Sequence, residues 1–198
     1  VSYAREIENI ISGDKEDFNK KIEIIAVITT AVEEQLGIRP VIVGGQAVEF
    51  YTAGGYSTMD IDLICETSTD KIDSILTRLG FARENKYWIL TSEDTEIALE
   101  IPSGPLAGDS SKITRVNTPG GHRAYVISVE DILIDRLNAC VHWNEAWQEE
   151  WIIGIIVLNY TEIDWEYLTK RAKREKVADV LRKMKLKAVK IRENEKIE

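Results

Sequence analysis

The most constraining stretch of the sequence is VIVGGQAVEFYTAGGYSTMDIDLIC, Val41 to Cys65. Pro40 to Val43 is a short, continuous apolar run of the kind found in buried strands. Gly44 and Gly45 follow at once, and Gln46 to Thr52 fits a helix closed by Gly54 and Gly55. Met59 to Ile64 then alternates, with Met59, Ile61 and Leu63 on one face and Asp60, Asp62 and Ile64 on the other, which predicts a second strand. Glycines between a strand and a helix let another group approach the backbone closely. The helix start adds free N–H groups and partial positive charge, a natural seat for a phosphate. By itself a glycine pair is more often a simple tight turn.

The two aspartates narrow the choice. Side chains two residues apart on a strand point the same way, with roots roughly 7 Å apart, so Asp60 and Asp62 can converge on a hard cation such as Mg²⁺. A solvated strand face would tolerate the same pair. The apolar neighbours Ile61, Leu63, Ile64 and Cys65 argue instead for an inner strand, where unpaired acids are costly. A later strand, EIALEI, alternates Ile97, Leu99 and Ile101 inward and leaves Glu96, Ala98 and Glu100 on the other face. Beside the Asp60 strand, Glu100 would complete a three-carboxylate site, with Glu96 in reserve.

The remaining chain reads as an α+β protein. Helices are expected over Glu6 to Ile11, Phe18 to Leu36 (stopped by Gly37) and Thr69 to Leu79. Strands are expected over Phe81 to Glu84, Tyr87 to Thr91 and Glu96 to Ile101. A loop should run from Gly104 to Ser111, and a hairpin should pair Ile113 to Asn117 with Ala124 to Ile127. From Ser128 everything reads helical: Ser128 to Trp143, Ala146 to Asn159, and Asp164 into the C-terminus. A mixed sheet flanked by helices and followed by a helical part is the expected architecture. The expected division is a head over residues 1–143 and a helical extension over 144–198.

Composition excludes several classes. A net charge of −9 opposes binding to nucleic acid or anionic membrane through the whole surface. Cys65 and Cys140 form no disulfide framework, and with only His122 and His142 present there is no zinc spacing. Residues 1–14 lack the order of a signal peptide, and the apolar runs near Ile24 to Val32 and Trp151 to Leu158 are too short to span a bilayer. A cytoplasmic protein without membrane contact is the default expectation.

Gly44-Gly45, Asp60-Ile61-Asp62 and Glu100, in this order, resemble the nucleotidyltransferase fold of the DNA polymerase beta type. GGQAVEFY with STMDIDL is similar to the first block of small prokaryotic AbiEii-like nucleotidyltransferases, and SVEDILIDRL resembles the helix that follows their sheet. The likeness runs roughly from Pro40 to Trp143. It implies transfer of a nucleotide from a nucleoside triphosphate to a hydroxyl of RNA, protein or a small molecule, with Mg²⁺ or Mn²⁺ as cofactor. Asp60 and Asp62 would hold the metal, and Glu100 would hold a second metal or accept the proton of the attacking hydroxyl. Gly44, Gly45 and the backbone N–H of Gln46 would cradle the triphosphate. Arg136 would face the nucleotide with Asp131 as a helper, and Ser57 and Thr58 would touch phosphate or serve the turn.

Two other readings stay open. Fourteen residues separate Gly45 from Asp60, longer than the family's usual gap, and the second glycine stands where a serine hydroxyl is common. Both favour a catalytically silent module of the same fold that binds a partner or nucleotide. A toxin–antitoxin component would use the same chemistry under a partner's restraint. Tyr51 and Tyr56 are either base-stacking residues or core, and Arg115 and Arg123 read as surface arginines. Trp143, Trp147 and Trp151 would share one face of an unbroken helix as core packing, leaving room for a homodimer. Leu168 to Arg192, with eleven basic residues against two acidic ones, reads as one basic amphipathic helix, docked with a solvated outer face or serving as an arm for RNA.

Overall fold

The computed structural model describes residues 2–92, 96–102, 104–143 and 145–194. It divides the chain into two compact units, Val1–Ala47 with Ser57–Ile127, and Val48–Tyr56 with Ser128–Glu198.

In the first unit, helices α1 (Tyr3–Ile11) and α2 (Asp17–Leu36) precede the sheet. Gly37, in the left-handed conformation at φ +67°, ends α2 as its composition predicts, its N–H bonding Glu33 O at 2.9 Å. The elements that follow are β1 (Val41–Val43), α3 (Gly44–Tyr51, which belongs to this unit up to Ala47 and to the second from Val48), β2 (Asp60–Ile64), α4 (Thr69–Arg78), β3 (Ala82–Glu84), β4 (Tyr87–Thr91), β5 (Glu96–Glu100), β6 (Thr114–Asn117) and β7 (Arg123–Val126). The strands form one sheet in the order β3-β4-β5-β2-β1-β7-β6, with β2–β5 and β1–β7 parallel and the other pairs antiparallel. Ile24, Ile25 and Ile28 of α2, Ile72, Ile75 and Leu76 of α4, and Ile42, Ile61, Leu63, Leu99 and Val126 of the sheet are all buried. Each such side chain contributes about 1.5–3 kcal/mol. Because strand side chains alternate, burying Ile61, Leu63 and Leu99 turns Asp60, Asp62 and Glu100 to the opposite, half-buried face.

The second unit contains α5 (Val129–His142), α6 (Gln148–Asn159), α7 (Trp165–Arg174) and α8 (Ala178–Asn194). Leu133, Leu137, Ile152, Ile155, Ile156, Leu168, Leu181 and Met184 form its interior. Ser128 caps α5, accepting from Asp131 N at 3.0 Å while donating to Asp131 Oδ2 at 2.9 Å. Asp131 also receives Tyr167 Oη at 2.9 Å and Arg171 Nη1 at 2.8 Å. The expected helper carboxylate is thus buried in a network that ties α5 to α7.

The α+β expectation holds, with four local corrections. First, α3 begins on Gly44 itself rather than after the glycine pair. Second, β2 starts at Asp60, so Met59 does not share the inner face with Ile61 and Leu63 and is 91% exposed. Third, the tryptophan stripe is broken: α5 stops at His142 and α6 starts at Gln148, leaving Trp143 and Trp147 exposed rather than in the core. Fourth, the basic C-terminal stretch is two helices, not one. Lys176 takes a left-handed φ of +62°, and Val177 N reaches back to Ala172 O at 2.9 Å, a closing motif formed without the usual glycine. Part of this basic charge is taken up inside the unit, with Lys183 and Lys187 on Glu149 and Lys185 3.6 Å from the Trp165 ring centre. The helix expected to run to the C-terminus is described to Asn194, and 195–198 lie outside the described residues. Among the described residues, no helix is long and apolar enough to cross a membrane.

Candidate functional site

The carboxylates meet through strand register. Asp62 pairs with Val43 of β1 on one side and with Glu100 of β5 on the other, while Asp60 pairs with Ala98. In a parallel pair, matched residues face the same way, so Asp62 and Glu100 are neighbours across the sheet and Asp60 lies two residues along. Oxygens from Asp60, Asp62 and Glu100 all fall within 4.8 Å of one another, a grouping that could hold a metal ion. All three acids are half-buried. Glu96, the reserve, is exposed at the far end of β5.

Gly44 explains part of this geometry. Its φ is +58°, and a methyl group there would overlap the Asp62 carboxylate, lying 3.0 Å from its Cγ. The glycine therefore serves two needs at once: a left-handed start to α3 and room for Asp62 against the backbone. Gly45 and Gln46 continue the first turn of α3. Gln46 is fully buried, and neither its side-chain oxygen nor its nitrogen has a hydrogen-bond partner among the described residues. An unmade buried bond costs about 1–3 kcal/mol.

Thr58 donates its hydroxyl to Asp60 Oδ1 at 2.9 Å, and its carbonyl accepts from Lys21 Nζ at 2.7 Å. It therefore orients the first acid while its own turn is tethered to α2. Ser57 is exposed. Tyr51 is buried, and Tyr56 packs edge-on to Trp151 with ring centres 4.8 Å apart. Arg115 and Arg123 are exposed on their hairpin. Arg136 belongs to the second unit, where its Nε bonds Asp135 Oδ2 at 2.9 Å. That intrahelical pairing is the role that competes with nucleotide contact.

Sequence reasoning missed Lys86. It stands at the tip of the two-residue turn joining β3 to β4, where Asn85 supplies a φ of +57° and Glu84 pairs with Tyr87. Its ammonium lies 2.7 Å from Glu100 Oε2 and 4.8 Å from the centre of the Tyr87 ring. Hydrogen bonding to the Glu100 carboxylate, and then to the neighbouring tyrosine, holds the Lys86 pKa above its ordinary value. The only sequence signal was register. Tyr87 pairs with Glu100, which places the residue before Tyr87 at the edge of the acid cluster.

The donor set is all-oxygen, from three carboxylates, which suits Mg²⁺ or Mn²⁺ and not a thiolate-seeking metal. The room that Gly44 leaves for Asp62 fits the same reading.

Likeness to one solved structure supports the fold. A nucleotidyltransferase-like antigenic protein from Paracoccidioides brasiliensis superposes with a TM-score of 0.52 at 19% identity, covering 71% of this chain and 75% of that one. The antibiotic-resistance factor ANT(2'')-Ia matches with a TM-score of 0.49 at 15% identity, over 84% of this chain and 95% of that one. No curated protein matches the sequence significantly. The model of the family described as "Nucleotidyltransferase of unknown function (DUF6036)" matches residues 20–198, and the chain belongs to that family.

Proposed function

We propose that this chain is a divalent-cation-dependent nucleotidyltransferase that moves a nucleotide from a nucleoside triphosphate to an acceptor hydroxyl. The observation that carries this reading is the convergence of Asp60, Asp62 and Glu100 within 4.8 Å. Mg²⁺ or Mn²⁺ held there would neutralise charge on the phosphate oxygens during an in-line displacement. Asp60, oriented by Thr58, and Asp62, seated against Gly44, would supply the cation's ligands. Glu100 would add a ligand or accept the proton of the attacking hydroxyl. The backbone N–H groups at Gly44, Gly45 and Gln46 would receive the triphosphate, helped by Ser57 and Thr58, with Arg136 as a further nucleotide contact. The acceptor is a hydroxyl of RNA, protein or a small molecule. The AbiEii-like kinship and a cytoplasmic setting belong to the same proposal. A homodimer through the exposed Trp143 and Trp147 is part of it too, testable by sedimentation.

The test is calorimetry with ATP, GTP, CTP and UTP in the presence of Mg²⁺, on the wild type and on Asp60→Ala/Asp62→Ala. Metal-dependent binding of one nucleotide, lost in the double variant, is the expected result. No binding by folded wild type would sink the enzyme reading. The second reading, a silent module of the same fold, is favoured by the Lys86–Glu100 ion pair, which already satisfies one of the three acids. Nucleotide binding without transfer to any acceptor would support it.

A further inference from the structure

Glu100 has two claimants. It is one of the three acids that converge for a cation, and it is also the partner of Lys86 at 2.7 Å. A divalent cation and an ammonium so close to one carboxylate repel each other, and each weakens the hold of that carboxylate on the other. Lys86 is free to move: its side chain is 61% exposed, against 22% for Glu100, and it projects from a hairpin tip on a four-carbon stem. Glu100 cannot follow, because β5 is hydrogen-bonded between β2 and β4.

We propose that Lys86 and the divalent cation compete for the Glu100 carboxylate, and that cation loading releases the Lys86 ammonium to bind the anionic part of the substrate. The inference rests on the metal site described under the proposed function. An ammonium carries three donors and no acceptor, and it pairs with phosphate as a point charge. Turned away from Glu100, it stays beside Tyr87, at the rim of the acid cluster, where an incoming triphosphate or the departing pyrophosphate needs a counter-charge. Lys86 is then a positioning residue with two stations, one that keeps Glu100 neutralised without metal and one that engages substrate with it. Cation and nucleotide binding become coupled, since each favours the same position of Lys86.

The experiment is Mn²⁺ titration by calorimetry on the whole chain, comparing wild type with Lys86→Met, Lys86→Arg and Asp62→Asn, each checked for folding by circular dichroism. Lys86→Met should tighten Mn²⁺ binding roughly two- to fivefold, the range expected for losing an exposed ion pair, while weakening nucleotide binding. Lys86→Arg should keep both constants close to the wild type. Equal or weaker Mn²⁺ binding by Lys86→Met, alongside wild-type binding that Asp62→Asn abolishes, overturns the competition and leaves the metal site intact. If neither wild type nor Lys86→Met binds Mn²⁺, with or without nucleotide, the metal site itself is wrong and the competition falls with it. Binding that appears only in Lys86→Met supports the competition in its strongest form.

Discussion

Arg171 and Asp131, forty residues apart in sequence, meet at 2.8 Å with the Asp131 side chain wholly buried. The aspartate also accepts from Ser128 and Tyr167, so both of its oxygens are engaged. Replacing Arg171 by Met strands that carboxylate without its counter-charge and should cost about 3–5 kcal/mol in urea unfolding. Adding Asp131→Leu should recover much of the loss, because a buried ion pair replaced whole by apolar groups is often near neutral. If the single variant loses less than about 1 kcal/mol, the pair is not the fastening described.

Gly44 should tolerate no side chain. Alanine there must adopt a left-handed φ, costing about 1–2 kcal/mol, and its methyl must displace the Asp62 carboxylate. Gly44→Ala is therefore expected to lower the melting temperature and to weaken Mn²⁺ binding together. A variant that lost stability but bound Mn²⁺ normally would show that Asp62 has another place to go.

The acids should behave as a functional set rather than a structural one. Three half-buried carboxylates within 4.8 Å carry more negative charge than Lys86 alone offsets when no cation is bound, so neutralising one relieves repulsion. Asp62→Asn should leave the melting temperature unchanged or raise it without added metal. Mg²⁺ is expected to stabilise the wild type and not this variant, and the variant's transfer activity should fall on the order of a hundredfold or more.

Cys65 should be a silent thiol. Burial, reinforced by the Glu66 charge, pushes its pKa up to about 11. The folded state thus holds this proton more tightly than the unfolded chain. The contribution to stability is intact below the ordinary thiol pKa of about 8.5 and is lost as pH rises through 11. At pH 8 only about a thousandth of the folded molecules carry the thiolate. In a Cys140→Ser background, reaction with an aromatic disulfide reagent at pH 8 should be at least tenfold slower in buffer than in urea.

Lys176 marks a site where glycine should improve the protein. Its φ of +62° is strained for a residue with a β-carbon, and it follows the last turn of α7, where glycine is preferred. Lys176→Gly should raise stability by about 0.5–1 kcal/mol by thermal unfolding. A loss would mean that the lysine side chain contributes more than its backbone costs.

Much of the first unit was legible because period and position agreed. The D-x-D pair fell on the polar phase of an otherwise apolar strand. Alternation put Glu96 and Glu100 together on one face of the later strand, and the nearness of Glu100 to the break at Pro102 made it the first choice. The strands Phe81 to Glu84 and Tyr87 to Thr91 were visible from their composition, but not the hairpin they form. What escaped were contacts that sequence distance hides, such as Lys86 on Glu100 and Arg171 on Asp131. The break at Lys176 also escaped, since neither glycine nor proline announces it. The tryptophan stripe misled because four-residue spacing signals a shared face only while the helix continues, and here it stops at His142. Gly44 was singled out as a residue that lets another group approach the backbone. The structure adds a second reason for a glycine there, the nearness of Asp62.

The parallel match of Asp60 to Ala98 and of Asp62 to Glu100 has a further consequence. Between the two strands the chain makes a helix and a hairpin, and the length of that excursion does not enter the geometry of the acids. A single residue gained or lost within β5 would be ruinous by contrast. It would set Leu99 or Ile101 opposite Asp62 and send Glu100 into the apolar interior. In descendants of this chain, length should vary in the connections flanking α4, while the count of residues inside each strand and in the turn that presents Lys86 stays fixed, odd and even never exchanging places.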